Sequence, residues 1–303
     1  MSTPRSDDAP ALDVGQIRTL VDLPCETGEG PIWHPDERAL FWLDIPPGRV
    51  YRYDPVSGDN TLVFEHDGEI GGMTIQENGG LLLFCTAGKI VQWRAGNLTT
   101  VIDEIPAERE TRFNDVIADP AGRVYCGTMP KPDGMAALYR LDTDGSIQLV
   151  YDDIAQSNGM GFTADGTSMF LTDTRFRAIY RMNYDAATGA LSGRRAIIRT
   201  PEDHGAPDGM AVDADDTIWS ARWGGYGLFR YSPDGDLLGQ VRFPVRNVSS
   251  IAFGDDDYAT AYVTTAIGGT ERGREVGDLA GSLFAVDLRV KGKPPFRSKI
   301  EVR

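Results

Sequence analysis

The chain has 303 residues and a net charge of −15, and it shows no basic cluster, which argues against a nucleic-acid-binding protein. Its three cysteines lack the spacing of a zinc site and are too few for a disulfide framework. The N-terminal residues lack the apolar core of a signal peptide, and no stretch approaches ~20 apolar residues. The sequence therefore predicts a cytoplasmic protein that does not bind membranes.

Short apolar runs separated by turns cover most of the chain. The 35 glycines and 18 prolines punctuate these runs, and no long stretch has a helical apolar stripe, which favours an all-β architecture. Residues 1–16 are predicted to be a flexible tail, and residues 17–303 a single domain. The segment IRTLVDL, residues 17–23, has the composition of a strand.

A pattern of an apolar run followed by an acidic or glycine-rich turn occurs six times. Lining up the units on the residue that opens each run gives anchors at Gly30, Gly72, Asp115, Gly159, Gly209 and Ser250. Each unit continues with further short runs, such as ALFWLDI and RVYRYDP in the first. Four short strands at a period of about 40–45 residues are typical of a β-propeller blade.

The repeat predicts a six-bladed β-propeller with four-stranded antiparallel blades around a central channel. Two β-sandwiches would be the alternative, but they do not repeat one turn six times in register. Residues 17–23 are predicted to close the ring as the outer strand of the sixth blade. The C-terminal segment, residues 293–303, is expected at an outer edge, and the glycine-rich stretch 267–281 at one face of the disc.

The residue before each anchor lies on one circle around the predicted axis, because the repeat is pseudo-symmetric. These residues are Glu29, Gly71, Asn114, Asn158, Asp208 and Ser249. Two carboxylates and two amides at equivalent positions would converge at one end of the channel, where a divalent cation would offset their repulsion. The alternative is that Asp and Asn stand there because they favour turns.

Arg112 precedes Asn114 by two residues and should therefore face the same side of an extended segment. At the mouth of the channel it could clamp a carboxylate or bind substrate hydroxyls. The alternative is a surface charge paired with Glu110. His34, His66 and His204 fall in separate units without paired ligand spacing and are predicted to be structural or solvated. For His204 a functional role stays open, because it precedes Asp208 by four residues.

Four segments resemble the signature motifs of the gluconolactonase, regucalcin and senescence-marker protein family of six-bladed propellers. They are GEGPIW (28–33), RFNDVIADPAGRVYCGTM (112–129), SNGM (157–160) and PDGMAVD (207–213). The resemblance implies one divalent metal ion, which could be Ca, Zn, Mn, Mg or Fe(II), held by Glu29, Asn158 and Asp208. It further implies that Arg112 and Asn114 contact the substrate.

The function predicted from the resemblance is a metal-dependent lactonase that hydrolyses sugar aldonolactones, of the gluconolactone or xylonolactone kind, to aldonic acids. Asp208 would act as the general base, and the protein would be a monomer or a small homo-oligomer. Pro130 and Lys131 stand where some family members carry an acidic sugar contact, and Trp223 or Tyr226 could form an apolar wall for the substrate ring.

Three rival functions remain open beside the lactonase. The first is a phosphotriesterase or paraoxonase-like hydrolase on the same scaffold, and the second is a non-enzymatic calcium-binding protein like regucalcin. The third is a protein-interaction propeller, in which the channel cluster would be incidental.

Overall fold

Strands of the described residues form six four-stranded antiparallel sheets, which surround a central channel. The structure is a computed structural model that describes residues 9–268, 274 and 277–302. The all-β six-bladed propeller predicted from the repeat is confirmed. Within the described residues, no helix is long and apolar enough to cross a membrane.

The first three blades each follow the chain from the channel outwards. Blade 1 contains β2 to β5 (Gly28–His34, Ala39–Asp44, Arg49–Tyr53, Asn60–Glu65). Blade 2 contains β6 to β9 (Ile70–Ile75, Leu81–Cys85, Ile90–Arg94, Asn97–Ile102). Blade 3 contains β10 to β13 (Phe113–Ala118, Val124–Thr128, Ala136–Leu141, Ile147–Ile154).

Blades 4 and 5 repeat this order, whereas blade 6 combines both ends of the chain. Blade 4 contains β14 to β17 (Ser157–Phe162, Ser168–Asp173, Ala178–Asp185, Ala190–Arg199). Blade 5 contains β18 to β21 (Ala206–Val212, Ile218–Trp223, Gly227–Tyr231, Leu237–Arg242). Blade 6 contains β22 to β24 (Asn247–Gly254, Thr260–Ala266, Leu283–Asp287), and β1 (Arg18–Val21) is its outer strand.

The pairing of β1 with β24 confirms the predicted ring closure. Arg18 lies opposite Ala285 and Thr19 opposite Phe284 in an antiparallel register. The predicted stretch 267–281 lies between β23 and β24, and residues 269–273, 275 and 276 of it fall outside the described residues. Two short 3-10 helices occur in the described chain, at Pro106–Glu108 and Glu202–His204.

Apolar side chains fill the spaces between neighbouring blades. The clusters of buried residues each draw on two adjacent blades, as where Phe84 of blade 2 meets Phe113 of blade 3 edge-on at 5.4 Å between ring centroids. At the closure of the ring, Trp33 of blade 1 stacks on Tyr262 of blade 6 at 5.9 Å. The packing of successive blades fixes the inner strands relative to one another.

The N-terminal segment differs from the predicted flexible tail. Residues 1–8 lie outside the described part of the chain, but residues 9–12 run along the outer edge of blade 5. The Leu12 amide donates to the Gln240 carbonyl at 3.0 Å, and the Gln240 amide donates to the Pro10 carbonyl at 2.8 Å. This segment covers the backbone edge of β21, which would otherwise be an open sheet edge.

The C-terminal segment also departs from its predicted place at an outer edge. It crosses the face of the disc and binds turns that follow the inner strands. Ser298 pairs with Ile75 of blade 2 through a 2.8 Å backbone hydrogen bond, and the Lys299 amide donates to the Gly122 carbonyl of blade 3 at 2.8 Å. The residues Lys293 to Phe296 line the end of the channel that they cross.

Candidate functional site

All six inner strands are irregular at the same level of the channel. The pairing register shifts by one residue between Glu29 and Ile32, Ile70 and Gly72, Phe113 and Val116, Ser157 and Met160, Pro207 and Met210, and Val248 and Ser250. Such a bulge bends a strand and redirects its side chains. The repeated motif therefore places one residue of each blade at the same rim, and five of these six residues carry a side chain, since Gly71 has none.

Small residues next to the bulges let neighbouring inner strands approach closely. A Cβ atom at Gly159 would lie 2.4 Å from the Met210 amide nitrogen, and one at Gly209 would lie 2.2 Å from the Ser250 hydroxyl oxygen. Real Cβ atoms do not approach this closely without displacing a neighbour. These two positions have no room for a side chain. Glycine therefore lets the inner strands approach each other and brings the rim residues together.

Asn158 and Asp208 contact each other at this rim, although fifty residues separate them in the sequence. The Asn158 amide nitrogen donates to Asp208 Oδ1 and, at 3.1 Å, to Thr174 Oγ1. The Thr174 hydroxyl in turn donates to the Pro207 carbonyl at 2.8 Å. Thr174 therefore links the two strands and holds the Asn158 side chain in one orientation.

Glu29 from blade 1 completes the predicted set of three. The side chains of Glu29, Asn158 and Asp208 are all buried. Glu29 Oε2 accepts the Gly30 amide at 2.8 Å, and Asp208 Oδ1 accepts the Asn158 amide, so the hydrogen bonds of the described residues engage one oxygen of each carboxylate. Each carboxylate thus keeps an oxygen with unused lone pairs at the rim.

Burial of these acids disfavours their charged forms. Burial, the nearby Asp115 carboxylate and Asp208 all raise the pKa of Glu29. The pKa of Asp208 is raised by burial and then by Asp115, while the Asn158 amide and Arg112 act against that rise. Carboxylates crowded in a buried rim are stabilised in their charged form by a cation.

Asp115 is a third acid at the rim. It follows the ring position of Asn114 by one residue, so the sequence pattern does not predict it as a site residue. It is half-buried and lines the channel, and burial raises its pKa to about 7 against the effect of Arg112. A signal was present in the sequence, because four of the six anchors are glycine and one is serine. Asp115 is the acidic exception at a position that otherwise carries small residues.

The rim has the donor chemistry of a site for a hard or borderline cation. No group of three or more His, Cys, Asp and Glu side chains in the described residues is arranged to hold a metal. The candidate set therefore depends on the Asn158 amide oxygen in addition to the carboxylates of Glu29 and Asp208. Oxygen donors of this kind suit Ca²⁺, Mg²⁺ or Mn²⁺, and Asp115 adds negative charge beside them.

Arg112 lies at the rim, and its ionic partner differs from the predicted one. Its Nη1 donates to Asn114 Oδ1 at 2.7 Å and to the Phe113 carbonyl at 2.9 Å. Its Nε lies 3.6 Å from Glu69 Oε2, so the ionic partner is Glu69 and not Glu110. The guanidinium is held on one side, and its Nη2 makes no hydrogen bond to the described residues.

Asn114 uses both ends of its amide within the protein. Its nitrogen donates to the Ser157 carbonyl at 2.9 Å, and its oxygen accepts from Arg112. Only one lone pair of Oδ1 remains for another donor. The structure therefore brings Asn114 to the rim as the partner that orients Arg112.

Behind the rim, the channel forms a largely apolar cavity of about 200 Å³. Its walls come from the inner strands, and Lys293 to Phe296 lie at its far end. Lys293 donates to the Phe162 carbonyl at 2.9 Å, and Phe296 packs edge-on against Phe162. The C-terminal segment thus covers the far end of the channel, opposite the rim.

The remaining sequence candidates lie around or away from this rim. His34 contacts the Gly79 carbonyl at 3.1 Å, and the buried His204 ring packs on Phe229 at 4.8 Å, so both have structural surroundings. Tyr226 is 41% exposed in the turn between β19 and β20, while Trp223 is half-buried. Tyr226 can therefore present an apolar surface to a ligand.

Known proteins similar to this chain agree in fold and in family. The chain is 44% identical over 94% of its length to the pentonolactonase XacC of Haloferax volcanii, of which it covers 99%. It is 32% identical over 91% of its length to the 6-deoxy-6-sulfogluconolactonase of Pseudomonas putida, of which it covers 96%. A solved structure described as a calcium-binding protein, regucalcin, from Agrobacterium tumefaciens superposes with a TM-score of 0.87 at 25% identity, covering 95% of this chain and 99% of that one. Residues 27–267 match the family model "SMP-30/Gluconolactonase/LRE-like region", and the chain belongs to that family.

Proposed function

We propose that this protein is a divalent-metal-dependent lactonase that hydrolyses sugar aldonolactones to aldonic acids. The single observation that carries the proposal is the meeting of Glu29, Asn158 and Asp208, from three different blades, at one buried rim. Two relatives that the chain matches over nearly their whole length are a pentonolactonase and a sulfogluconolactonase. Their names support a sugar lactone as the class of substrate.

Glu29, Asn158 and Asp208 would hold the cation through one oxygen each. When bound, the cation supplies a Lewis acid that polarises the lactone carbonyl and stabilises the charge that develops on its oxygen. The unused oxygens Glu29 Oε1 and Asp208 Oδ2 and the oriented Asn158 amide support this assignment. The metal would be Ca, Zn, Mn, Mg or Fe(II), since oxygen ligands accept each of them.

Asp208 would also accept a proton from the water that attacks the lactone carbonyl carbon. Asp208 Oδ1 accepts the Asn158 amide, so Oδ2 has a lone pair for the cation and a second one for this proton. The proton removed from water would go to the Asp208 carboxylate. It would then pass to the ring oxygen, which leaves as the hydroxyl of the aldonic acid.

Arg112 would bind the hydroxyls or the carbonyl side of the lactone through its remaining N–H groups. Its attachment to Asn114 and to the Phe113 carbonyl fixes the guanidinium before substrate arrives, which lowers the entropy lost on binding. Asn114 would contribute mainly by holding Arg112 and secondarily through its remaining lone pair.

A pH-stat assay over a panel of five- and six-membered aldonolactones tests the proposal. The protein would be stripped of metal, assayed, and assayed again after each candidate cation is restored. We expect hydrolysis to vanish on stripping and to return with one or more cations. If no aldonolactone is hydrolysed faster than in buffer under any metal condition, the lactonase proposal is wrong.

The variant Asp208→Asn tests the role of the rim carboxylate with almost no change of shape. We expect kcat to fall by about 10²–10⁴-fold, the usual contribution of a general base, together with weaker metal binding. The matched control is Asp59→Asn, because Asp59 is exposed on the outer hairpin of blade 1. Turnover of Asp208→Asn near that of the control would remove Asp208 from the mechanism.

A second candidate function is calcium binding without catalysis, and the similarity to a structure described as a calcium-binding regucalcin favours it over a phosphotriesterase or a protein-interaction propeller. Saturable calcium binding by titration calorimetry, combined with no activity on any lactone, would establish this function instead. A paraoxonase-like hydrolase is separated by assaying an aryl phosphotriester beside the lactones. Cytoplasmic localisation and a monomeric or small homo-oligomeric state stay predictions.

A further inference from the structure

An ion pair with a buried carboxylate joins the connection before blade 3 to a loop of that blade. Neither of its residues belongs to the metal-binding set or the substrate-binding pair. Glu108 is fully buried, and its Oε1 accepts a 2.7 Å hydrogen bond from the Tyr139 hydroxyl. The Lys131 ammonium, whose side chain is 37% exposed, lies 3.1 Å from the same oxygen. Glu108 Oε2 has no hydrogen-bond partner among the described residues, so the carboxylate depends on Tyr139 and Lys131.

Glu108 belongs to the segment that leads directly to Arg112. It ends the 3-10 helix Pro106–Glu108, and its carbonyl accepts the Thr111 amide at 3.1 Å. Lys131 belongs to the loop 129–135 that joins β11 to β12. The ion pair therefore ties the approach to Arg112 to this loop by side chains.

The same two segments are also joined by their backbones at Arg112 itself. The Met129 amide donates to the Arg112 carbonyl at 3.0 Å, and the Thr111 hydroxyl donates to the Met129 carbonyl at 3.1 Å. The Arg112 peptide is thus bonded to the first residue of the loop. The position of the Arg112 guanidinium, which extends from this peptide, follows the position of the loop.

The loop 129–135 is long for its place in the fold. The turns that join the second and third strands of blades 1, 2, 4 and 5 span residues 45–48, 86–89, 174–177 and 224–226. At the equivalent place blade 3 has seven residues, including Pro130 and Pro132. A longer loop needs its own anchor, and the buried Glu108 carboxylate supplies one by pairing with Lys131.

We propose that Glu108 and Lys131 form a positioning pair that sets Arg112 and the loop 129–135 over the rim and thereby determines which lactones bind. This inference rests on the proposed lactonase function. Lys131 is then an anchor whose charge is already neutralised by Glu108, and not a free cation offered to the substrate. Neither residue touches the reacting atoms, so the pair acts through the placement of Arg112 and affects binding more than turnover.

The test uses Glu108→Gln, Lys131→Met and the double variant in the full-length protein. Glu108→Gln keeps an oxygen that can accept the Tyr139 hydroxyl, and it removes the charge. We expect each single change to raise KM about fivefold to tenfold with kcat within about twofold, because uniform binding is lost. The double variant should raise KM no more than the worse single change, since the two residues form one interaction.

Two further variants separate this role from a merely structural one. Lys131→Arg keeps the cation and should restore KM to within about twofold of the unaltered protein. Lys299→Met removes an ion pair with Glu77, 3.2 Å apart, at the opposite face and should leave KM unchanged. Changes of KM in both single variants that simply multiply in the double variant, or a fall in kcat at unchanged KM, would overturn the positioning pair.

Hydrogen exchange distinguishes failure of this inference from failure of the lactonase proposal. If the unaltered protein hydrolyses no lactone, exchange of peptides covering residues 108–113 and 129–136 can still be compared between the variants. Faster exchange of both segments in Lys131→Met, but not in Lys131→Arg, would support the pair. Unchanged exchange in both segments would overturn it, whatever the substrate of the protein is.

Discussion

Replacing Asp115 by Asn should change how the stability of the metal-free protein depends on pH. Burial raises the pKa of Asp115 to about 7 in the folded chain, whereas an unfolded chain would show a value near ~3.9. The folded state therefore binds the proton more tightly than the unfolded state does. Stability from this group is fully present below pH ~4 and is lost as the pH rises through about 7.

The size of this loss follows from the shift in pKa. Three pKa units correspond to roughly 4 kcal/mol of unfolding free energy, lost from the metal-free protein between about pH 4 and pH 7. For a domain of this size that is about 10 °C in Tm, at about 2–4 °C per kcal/mol. Asn cannot titrate, so Asp115→Asn should be the more stable protein at pH 8, and the advantage should shrink towards pH 5.

The assay is thermal unfolding of metal-stripped protein across pH 5 to 8, followed as the difference in Tm between variant and unaltered protein. Using the difference removes the contribution of acids far from the rim, which titrate alike in both proteins. Glu29 and Asp208 do not cancel in this way, because the loss of the Asp115 charge also lowers their pKa and adds to the difference. Asp59→Asn, which removes one exposed acidic charge, should give a difference that varies little with pH. A difference for Asp115→Asn that is equally flat would refute the idea that burial at the rim disfavours the charged form of Asp115.

Three further changes test how the rim is built. Gly159→Ala would place a Cβ against the neighbouring backbone, so we expect a loss of about 1–3 kcal/mol in denaturant unfolding and weaker metal binding through displaced Asp208. Thr174→Val removes the hydroxyl that orients Asn158, and calorimetry should show metal affinity lower by about tenfold or more at nearly unchanged Tm. Arg112→Lys cannot reproduce the guanidinium contacts, and it should raise KM about tenfold with a smaller effect on kcat; unchanged KM would remove Arg112 from substrate binding.

The fold could be predicted because the repeat itself encodes it. Each blade needs four short strands and three turns, and the turn after the inner strand recurs six times in the sequence. The repeat also predicts the outer position of β1. The sixth unit lacks a fourth strand of its own, so the strand that precedes the first unit can pair with its open edge. The paths of residues 9–15 and 293–302 could not be predicted in this way. The N-terminal segment is held mainly by backbone hydrogen bonds to strand edges, and the C-terminal segment by backbone and side-chain hydrogen bonds to turns. Such contacts leave no periodic pattern in the sequence.

The sequence predicts only those site residues that occupy equivalent positions in the repeated units. One position of the repeat predicts Glu29, Asn114, Asn158 and Asp208 together, and only the family resemblance separates Asn114 from the three metal ligands. Asp115 occupies the next position of the repeat, where most blades carry glycine. Glu108 lies in an irregular connection before blade 3, so no repeat position exists that could have marked it.

The bulged inner strands explain why one scaffold position can carry the whole site. Each blade supplies the same bend at the same level, so the backbone geometry of the rim does not depend on which side chain stands there. A regular strand would alternate its side chains between the two adjacent blades, whereas a bulge turns one of them towards the axis. The side chain at the rim can then change in one blade without changing the others. A new acid there destabilises the metal-free protein, because its charge is partly buried and repels the neighbouring carboxylates. Asp115 is such an addition, which is why its removal should stabilise the metal-free protein while the ring of blades stays intact.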